Sequence, residues 1–164
     1  MSPSPTPPSG PPQFLPISAE WCLVSQQAGA QKSNPHPTCI QLELAATPQQ
    51  QQWGLMGRPP LAPLRGMLFP FEPARAVKFW MHRTPAALDM LFVREGRVIA
   101  IEANAAPCLR LPCPSYGPEA PSDGVVELGA GQALALGITV GSLAPIQIKA
   151  RGLPMMQAGS SVLP

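Results

Sequence analysis

The chain has 164 residues, a length that suits one domain with a hydrophobic core and leaves little room for two. Its net charge is +2, only 12% of its residues are charged, and its few aromatic residues do not interleave with basic runs, so we expect no nucleic acid as a partner. No apolar run approaches the roughly 18 residues of a membrane span, and the N-terminal region lacks the basic and apolar segments of a signal peptide. These features predict a soluble protein without a membrane span.

The two ends of the chain differ in composition from the region between them. Residues 1–13 contain six prolines and nothing to bury, which predicts a disordered proline-rich arm. Residues 151–164 show no periodicity and are predicted to form a disordered tail. Residues 14–150 are therefore expected to form a single β-rich domain.

The first two predicted strands each contain a cysteine. In ISAEWCLV and in TCIQLELAA, apolar and polar residues alternate, which is typical of half-buried strands. Cys22 and Cys39 fall on the polar faces, so a disulfide between them is reasonable if the strands are neighbours. The second pair, Cys108 and Cys113, would close a small loop in PCLRLPCP. Four reduced cysteines in a cytosolic protein remain the alternative.

Two short helices interrupt the strand pattern. In TPQQQQWGLMGRPP, Thr47 suits an N-cap and Pro48 the first helical position, while Gly54 or Gly57 ends the helix. A second short helix is predicted around residues 132–136, where Gly137 ends it. The strand pattern GMLFPF contains Pro70, which restricts this strand to a sheet edge or a bulge.

A β-hairpin is the clearest supersecondary prediction. LDMLFV and VIAIEA flank the sequence REGR, in which Glu95-Gly96 is a two-residue turn. Pairing Arg94 with Arg97 fixes the register and places Asp89 opposite Glu102. Together with the remaining strand patterns, the hairpin predicts a mainly β sandwich or barrel with about seven or eight short strands.

A close carboxylate pair is one candidate for chemistry. Asp89 and Glu102, with His82 nearby, could serve as the acid and base of a hydrolase or lyase. The favoured interpretation is structural: a solvated sheet end, or an Asp89 carboxylate that accepts backbone hydrogen bonds. Cys108 and Cys113 are spaced unlike zinc ligands, and no phosphate or dinucleotide motif is present, so we predict neither a metal nor a cofactor.

The segment VKFWMHR offers a binding surface instead. If Val77 and Met81 face the core, then Lys78, Trp80 and His82 share the outer face, where Trp80 would be a platform for a sugar, an aromatic group or an anion. Basic residues are frequent between residues 54 and 84, which could provide an anion-binding rim. Burial of Trp80 in the core is the alternative.

Several segments, taken in order, resemble the bacterial and archaeal "domain of unknown function 192" family. They are TPQQQQWGLMGR, GMLFPF, FWMHRTPAALDMLFV, GRVIAIEANAAPC, CPSYGP and VVELGAGQALALGITVGS. The residues that match the family pattern are Gly54, Leu55, Met56, Arg58, Met67, Trp80, Met81, Thr84, Asp89, Pro107, Cys113 and Tyr116. His82 and Arg83 depart from it, because relatives usually have Lys-Asn there.

The resemblance implies a mainly β, jelly-roll-like sandwich and no established biochemical activity. Because many relatives are exported, it also favours disulfides Cys22–Cys39 and Cys108–Cys113 and an exported compartment. We therefore predict a jelly-roll-like sandwich or partly closed barrel that acts as a non-enzymatic module for a small ligand or protein partner. The alternatives are the hydrolase or lyase and a thiol–disulfide role for Cys108 and Cys113. The predicted ligand-binding residues are Arg58, Trp80, His82, Arg83, Thr84, Asp89 and Tyr116.

Overall fold

The computed structural model describes residues 9–24 and 36–149. Within these ranges the chain forms nine strands and two short helices: β1 Ile17–Cys22, β2 Cys39–Leu44, α1 Pro48–Trp53, β3 Arg65–Arg75, β4 Phe79–Trp80, β5 Leu88–Arg94, β6 Arg97–Ala105, β7 Ser115–Tyr116, β8 Ser122–Gly129, α2 Gln132–Ala135 and β9 Ile146–Ile148. The mainly β prediction with two short helices is confirmed. Most of the predicted arm and all of the predicted tail lie outside the described residues.

Seven strands form one sheet in the order β6-β5-β8-β3-β2-β1-β9, and β4 pairs with β7 in a separate ribbon. Neighbouring strands are antiparallel except β2 and β3, which run parallel and are connected through α1. The sheet is not closed into a barrel. Its two outer strands are nevertheless linked at one end, because Val98 in β6 exchanges backbone hydrogen bonds with Gly141 and Ser142, just before β9.

The centre of the sheet is buried on both faces. Alternation along β3, β5 and β8 sends Met67, Phe69, Met90 and Val125 to one face, where they form a core with the connecting loops. The intervening residues form a second core on the opposite face, together with β1, β2 and α2. Loops covering the first face bring residues 45–60 and 76–87 over the middle of the sheet, where the candidate site lies.

The short-range predictions for β1, β2 and α1 are confirmed. Ala19, Trp21, Ile40 and Leu42 are buried, as the alternating patterns predicted. In α1 the Thr47 hydroxyl accepts a hydrogen bond from the Gln50 N–H at 3.1 Å, and the Gln50 side chain accepts one from the Thr47 N–H at 3.1 Å. This reciprocal cap satisfies donors that a helix start leaves free, and the helix ends at Gly54.

Both predicted disulfides are present. Cys22 and Cys39 are directly paired in the register of β1 and β2, and their sulfurs are bonded. Cys108 and Cys113 are bonded across a short loop. The described residues contain no free cysteine.

The hairpin turn is confirmed, but the register beyond it is wrong. Arg94 pairs with Arg97, and Glu95 and Gly96 have φ values of 50° and 73°, as a two-residue hairpin turn requires. An irregularity between Phe92 and Val93 then shifts the pairing by one residue, so that Glu102 lies opposite Met90 instead of Asp89; a second irregularity follows between Leu88 and Met90. The predicted register requires a strand with one apolar face, but β5 is buried on both faces. Burial therefore does not decide how β5 pairs with β6.

Pro70 belongs to β3, which is an inner strand of the sheet, where proline is unusual. The last pair between β2 and β3 is Leu44 with Leu68, so Pro70 comes after the end of β2 and misses no hydrogen bond on that side. A shift in register between β3 and β8 follows it. The prediction of an edge or a bulge is met by this irregularity, although β3 as a whole is an inner strand.

Candidate functional site

A cavity of about 510 Å³ lies above the sheet face formed by β3 and β8. Its floor comes from the sheet, one wall from α1 and the turn after it, and the other wall from residues 75–84. The aromatic residues that line it are Trp53, Phe69, Phe71, Phe79 and Trp80. Phe79 packs edge-on against Phe69 at 5.0 Å and against Phe71 at 6.3 Å between ring centroids. A cavity of this size can enclose a small organic molecule.

Glu127 contributes a carboxyl group to this cavity. It belongs to β8, where its cross-strand neighbours are Met67 in β3 and Met90 in β5. The residue is only 4% exposed, and it makes no hydrogen bond or ion pair with any residue that the structure describes. Burial raises the pKa of Glu127 from 4.5 to about 8, because the ionised form is poorly solvated there. The carboxyl is therefore mostly protonated near neutral pH.

Trp80 and His82 form the side of the cavity next to the Cys108–Cys113 loop. Their rings lie 5.0 Å apart, with Trp80 38% exposed and His82 buried. Backbone bonds hold this segment against the loop, since the Arg83 N–H donates to the Cys108 carbonyl at 3.0 Å. The His82 Nδ1 atom lies 3.7 Å from the Cys113 sulfur. The disulfide loop thus fixes the position of the His82 ring.

The basic residues of the cavity lie at its exposed rim. Lys78 forms an ion pair with Glu119 at 2.9 Å and also donates to the Gly117 carbonyl. The Arg75 guanidinium lies over the ring of Phe71, 4.8 Å from its centroid. Both basic side chains therefore already contact other residues at the rim of the cavity.

The structure brings together three of the predicted ligand-binding residues. Trp80, His82 and Thr84 line the cavity. Arg58, Arg83, Asp89 and Tyr116 do not, and Glu102 lies on the edge strand β6. Tyr116 pairs with Phe79 in the small ribbon, while Arg83 is exposed. The predicted residues therefore do not form one site as a unit.

Arg58 is buried in an ion pair behind the cavity wall. Its two terminal nitrogens bond both carboxylate oxygens of Glu43, at 3.0 and 2.9 Å. The guanidinium also donates to the Gln13 carbonyl and lies over the Phe14 ring, and the Leu15 N–H donates to Glu43 at 2.6 Å. Arg58 thus attaches the segment before β1 to β2.

Asp89 lies on the opposite face of the sheet from Glu127 and has a structural role there. It is fully buried, and its carboxylate accepts hydrogen bonds from the backbone N–H groups of Asn104, Gly131 and Ala133, at 2.9 to 3.1 Å. A carboxylate with three such donors is fixed between β6 and the start of α2. The predicted pairing with Glu102 is absent, and with it the geometric basis of the acid–base hypothesis.

Asp89→Asn is expected to destabilise the protein by about 2 kcal/mol, because an amide nitrogen would face one or more backbone donors that the carboxylate satisfied. Urea unfolding followed by circular dichroism measures the change. Asp123→Asn is the control, since this carboxylate accepts a single bond, from the exposed Glu95 N–H. Equal stabilities for Asp89→Asn and the native protein would contradict the structural role.

Sequence reasoning missed Glu127, although a signal was present. The residue interrupts the apolar run VVEL in a strand whose neighbours on both sides are buried. A single acid inside a short apolar strand is unusual, because ionised side chains are rarely buried without a partner. Recognising it required knowing that β8 lies between β5 and β3, which the local pattern does not reveal.

Comparisons with known proteins agree with the fold. The DUF192 family, described as "Uncharacterized ACR", matches residues 30–146. A crystal structure from Sinorhizobium meliloti 1021, described as a candidate transcription regulator, is 30% identical with a TM-score of 0.66, covering 80% of this chain and 92% of its own. A protein of unknown function from Novosphingobium aromaticivorans is 29% identical with a TM-score of 0.66, covering 87% and 92%.

No curated protein matches the sequence, and no helix among the described residues is long and apolar enough to cross a membrane. The family match covers more than two thirds of the chain and includes the cavity-lining segments from Pro48 to Thr84 and Glu127. The chain belongs to the DUF192 family.

Proposed function

We propose that this protein is a non-enzymatic binding module that encloses a small organic ligand in the cavity between α1, residues 75–84 and the sheet. The observation that carries the proposal is the buried Glu127 carboxyl, which lines a cavity together with five aromatic residues and has no partner among the described residues. Buried polar groups normally have a hydrogen-bond partner. A bound ligand would supply it.

The form of the cavity supports this function. Aromatic walls bury apolar ligand surface without much loss of side-chain freedom, and one polar group at the floor can orient the ligand. Three predicted binding residues, Trp80, His82 and Thr84, belong to the same cavity. The wall next to His82 is held by the Cys108–Cys113 loop, which keeps the site preformed.

An enzymatic function has less support from the described residues. Asp89 and Glu102, the proposed acid and base, are not paired with each other. Asp89 is also occupied by three backbone donors. The thiol–disulfide role of Cys108 and Cys113 remains a separate prediction, which mass spectrometry after mild reduction would test.

Binding is tested with three probes of similar size and different charge: phenethylamine, 2-phenylethanol and phenylacetate. At least one is expected to change the tryptophan fluorescence, because Trp53 and Trp80 line the cavity. Ala76→Leu is expected to weaken that binding by about tenfold or more, since residue 76 is exposed and lines the cavity, where a larger side chain obstructs it.

Ala103→Leu is the matched control, because it makes the same change at an exposed position of β6 that does not line the cavity. It should leave the affinity unchanged. The proposal would be wrong if none of the three probes bound, or if the two leucine variants affected binding equally.

A further inference from the structure

We infer that the ligand of this cavity is a protonated organic amine, whose ammonium group lies against Glu127 and whose apolar part contacts the aromatic walls. This inference rests on the proposed function and narrows it to one chemical class. It is carried by the juxtaposition of one buried carboxyl with five aromatic residues in a single cavity.

The Glu127 carboxyl at the floor favours a cation, because it can lose its proton and hold an ammonium group as a carboxylate. Glu127 is the one carboxyl among the described residues that line the cavity. Its neighbours in the sheet, Met67 and Met90, offer no hydrogen-bond donor. An ammonium group is a compact donor that can bond the carboxylate and neutralise it in the same contact.

The walls favour the same class of ligand. The faces of aromatic rings attract cations, and the attraction is strongest where water is excluded. Trp53, Phe69, Phe71, Phe79 and Trp80 line the same cavity as Glu127. Aromatic rings and one acid are sufficient to bind an ammonium ligand, and the cavity contains both.

The other charged or titratable residues of the lining are Arg75, Lys78 and His82. Arg75 and Lys78 are exposed, where their charges are screened by solvent and salt. Lys78 is paired with Glu119, and Arg75 lies over Phe71. His82 directs Nδ1 towards Cys113. The helix α1 contributes Gln51 and Gln52 to the lining, and both are uncharged. The neighbour of Glu127 in β5 is Met90, which is also uncharged.

Binding of an amine should release a proton. The carboxyl of Glu127 is mostly protonated at neutral pH because burial raises its pKa to about 8, whereas pairing with an ammonium group requires the carboxylate. Affinity should therefore increase as pH rises from 6 towards 8, and below pH 8 each amine bound should displace up to one proton.

Isothermal titration calorimetry with the same three probes tests this inference in the intact protein. We expect phenethylamine to bind at least about tenfold more tightly than 2-phenylethanol or phenylacetate. At pH 7 its binding enthalpy should vary with the ionisation enthalpy of the buffer, as proton release requires. Glu127→Gln should remove both the preference for the amine and the buffer dependence of its binding enthalpy.

The outcomes separate this inference from the proposed function. Equal binding of the amine and the alcohol, or tighter binding of phenylacetate, overturns the amine inference and leaves a ligand-binding cavity. A preference for the amine that persists in Glu127→Gln also overturns it, because the cation would then be recognised elsewhere. Failure of all three probes to bind overturns the proposed function and the inference together.

Discussion

Glu127→Gln is expected to abolish a fall in stability that the native protein shows between pH 5 and pH 8.5. Burial raises the pKa of Glu127 from 4.5 to about 8, so over this interval the folded protein retains a proton that the unfolded chain loses. The free energy of unfolding then decreases by up to about 1.4 kcal/mol per pH unit. The stability that the raised pKa of Glu127 contributes is fully present below pH 4.5 and is lost as pH rises through about 8.

The measurement is urea unfolding of both proteins at several pH values. The stability of Glu127→Gln relative to the native protein should rise by on the order of 3 kcal/mol between pH 5 and pH 8.5. Other titrating groups contribute equally to both proteins, so the difference isolates residue 127. Glu95→Gln, at the exposed hairpin turn, controls for the loss of one negative charge. Parallel stability curves for the native protein and Glu127→Gln would show that the residue is not buried as described.

Breaking the buried ion pair between Arg58 and Glu43 should lower the free energy of unfolding more than breaking any exposed ion pair of the described residues. Both side chains are 9% exposed, and removal of one partner leaves the other charge buried without compensation. Glu43→Leu or Arg58→Met is expected to lower the free energy of unfolding by about 3–5 kcal/mol. The double variant should lose much less than the two single losses added together.

Urea unfolding of the four proteins gives the coupling energy of the pair. Hydrogen exchange adds a local readout, because the Leu15 N–H donates to Glu43 and should lose protection in Glu43→Leu. Glu119→Gln removes the exposed pair with Lys78 and should change the stability by less than about 1 kcal/mol. Additive losses in the double variant would contradict a direct interaction between Arg58 and Glu43.

These predictions assign different roles to acids that look alike in the sequence. The Glu43 carboxylate is paired with the Arg58 guanidinium, and the Asp89 carboxylate accepts hydrogen bonds from three backbone N–H groups. Glu127 has neither kind of partner among the described residues. The ligand hypothesis therefore depends on Glu127, whose carboxyl is buried without such a contact.

Short-range pattern in the sequence determined much of the fold. The alternation in β1 and β2, the Thr47 cap of α1 and the turn at Glu95-Gly96 each depend on residues within a few positions of one another. Local sterics and hydrogen bonds decide such features, so they can be predicted from one sequence. Spacing and strand alternation left reduced cysteines as an alternative, and the family resemblance favoured the two disulfides that the structure contains.

The tertiary structure alone decided the site. Trp80, His82 and Thr84 could be chosen from one segment, but Glu127 joins them only because β8 lies between β5 and β3. Strand order and bulges depend on the combined packing of segments far apart in the chain, which moved Asp89 away from Glu102 and placed Arg58 on Glu43. Local periodicity shows which residues share a face of one strand; which carboxyl remains buried without a partner is decided by what the neighbouring strands and loops place against it.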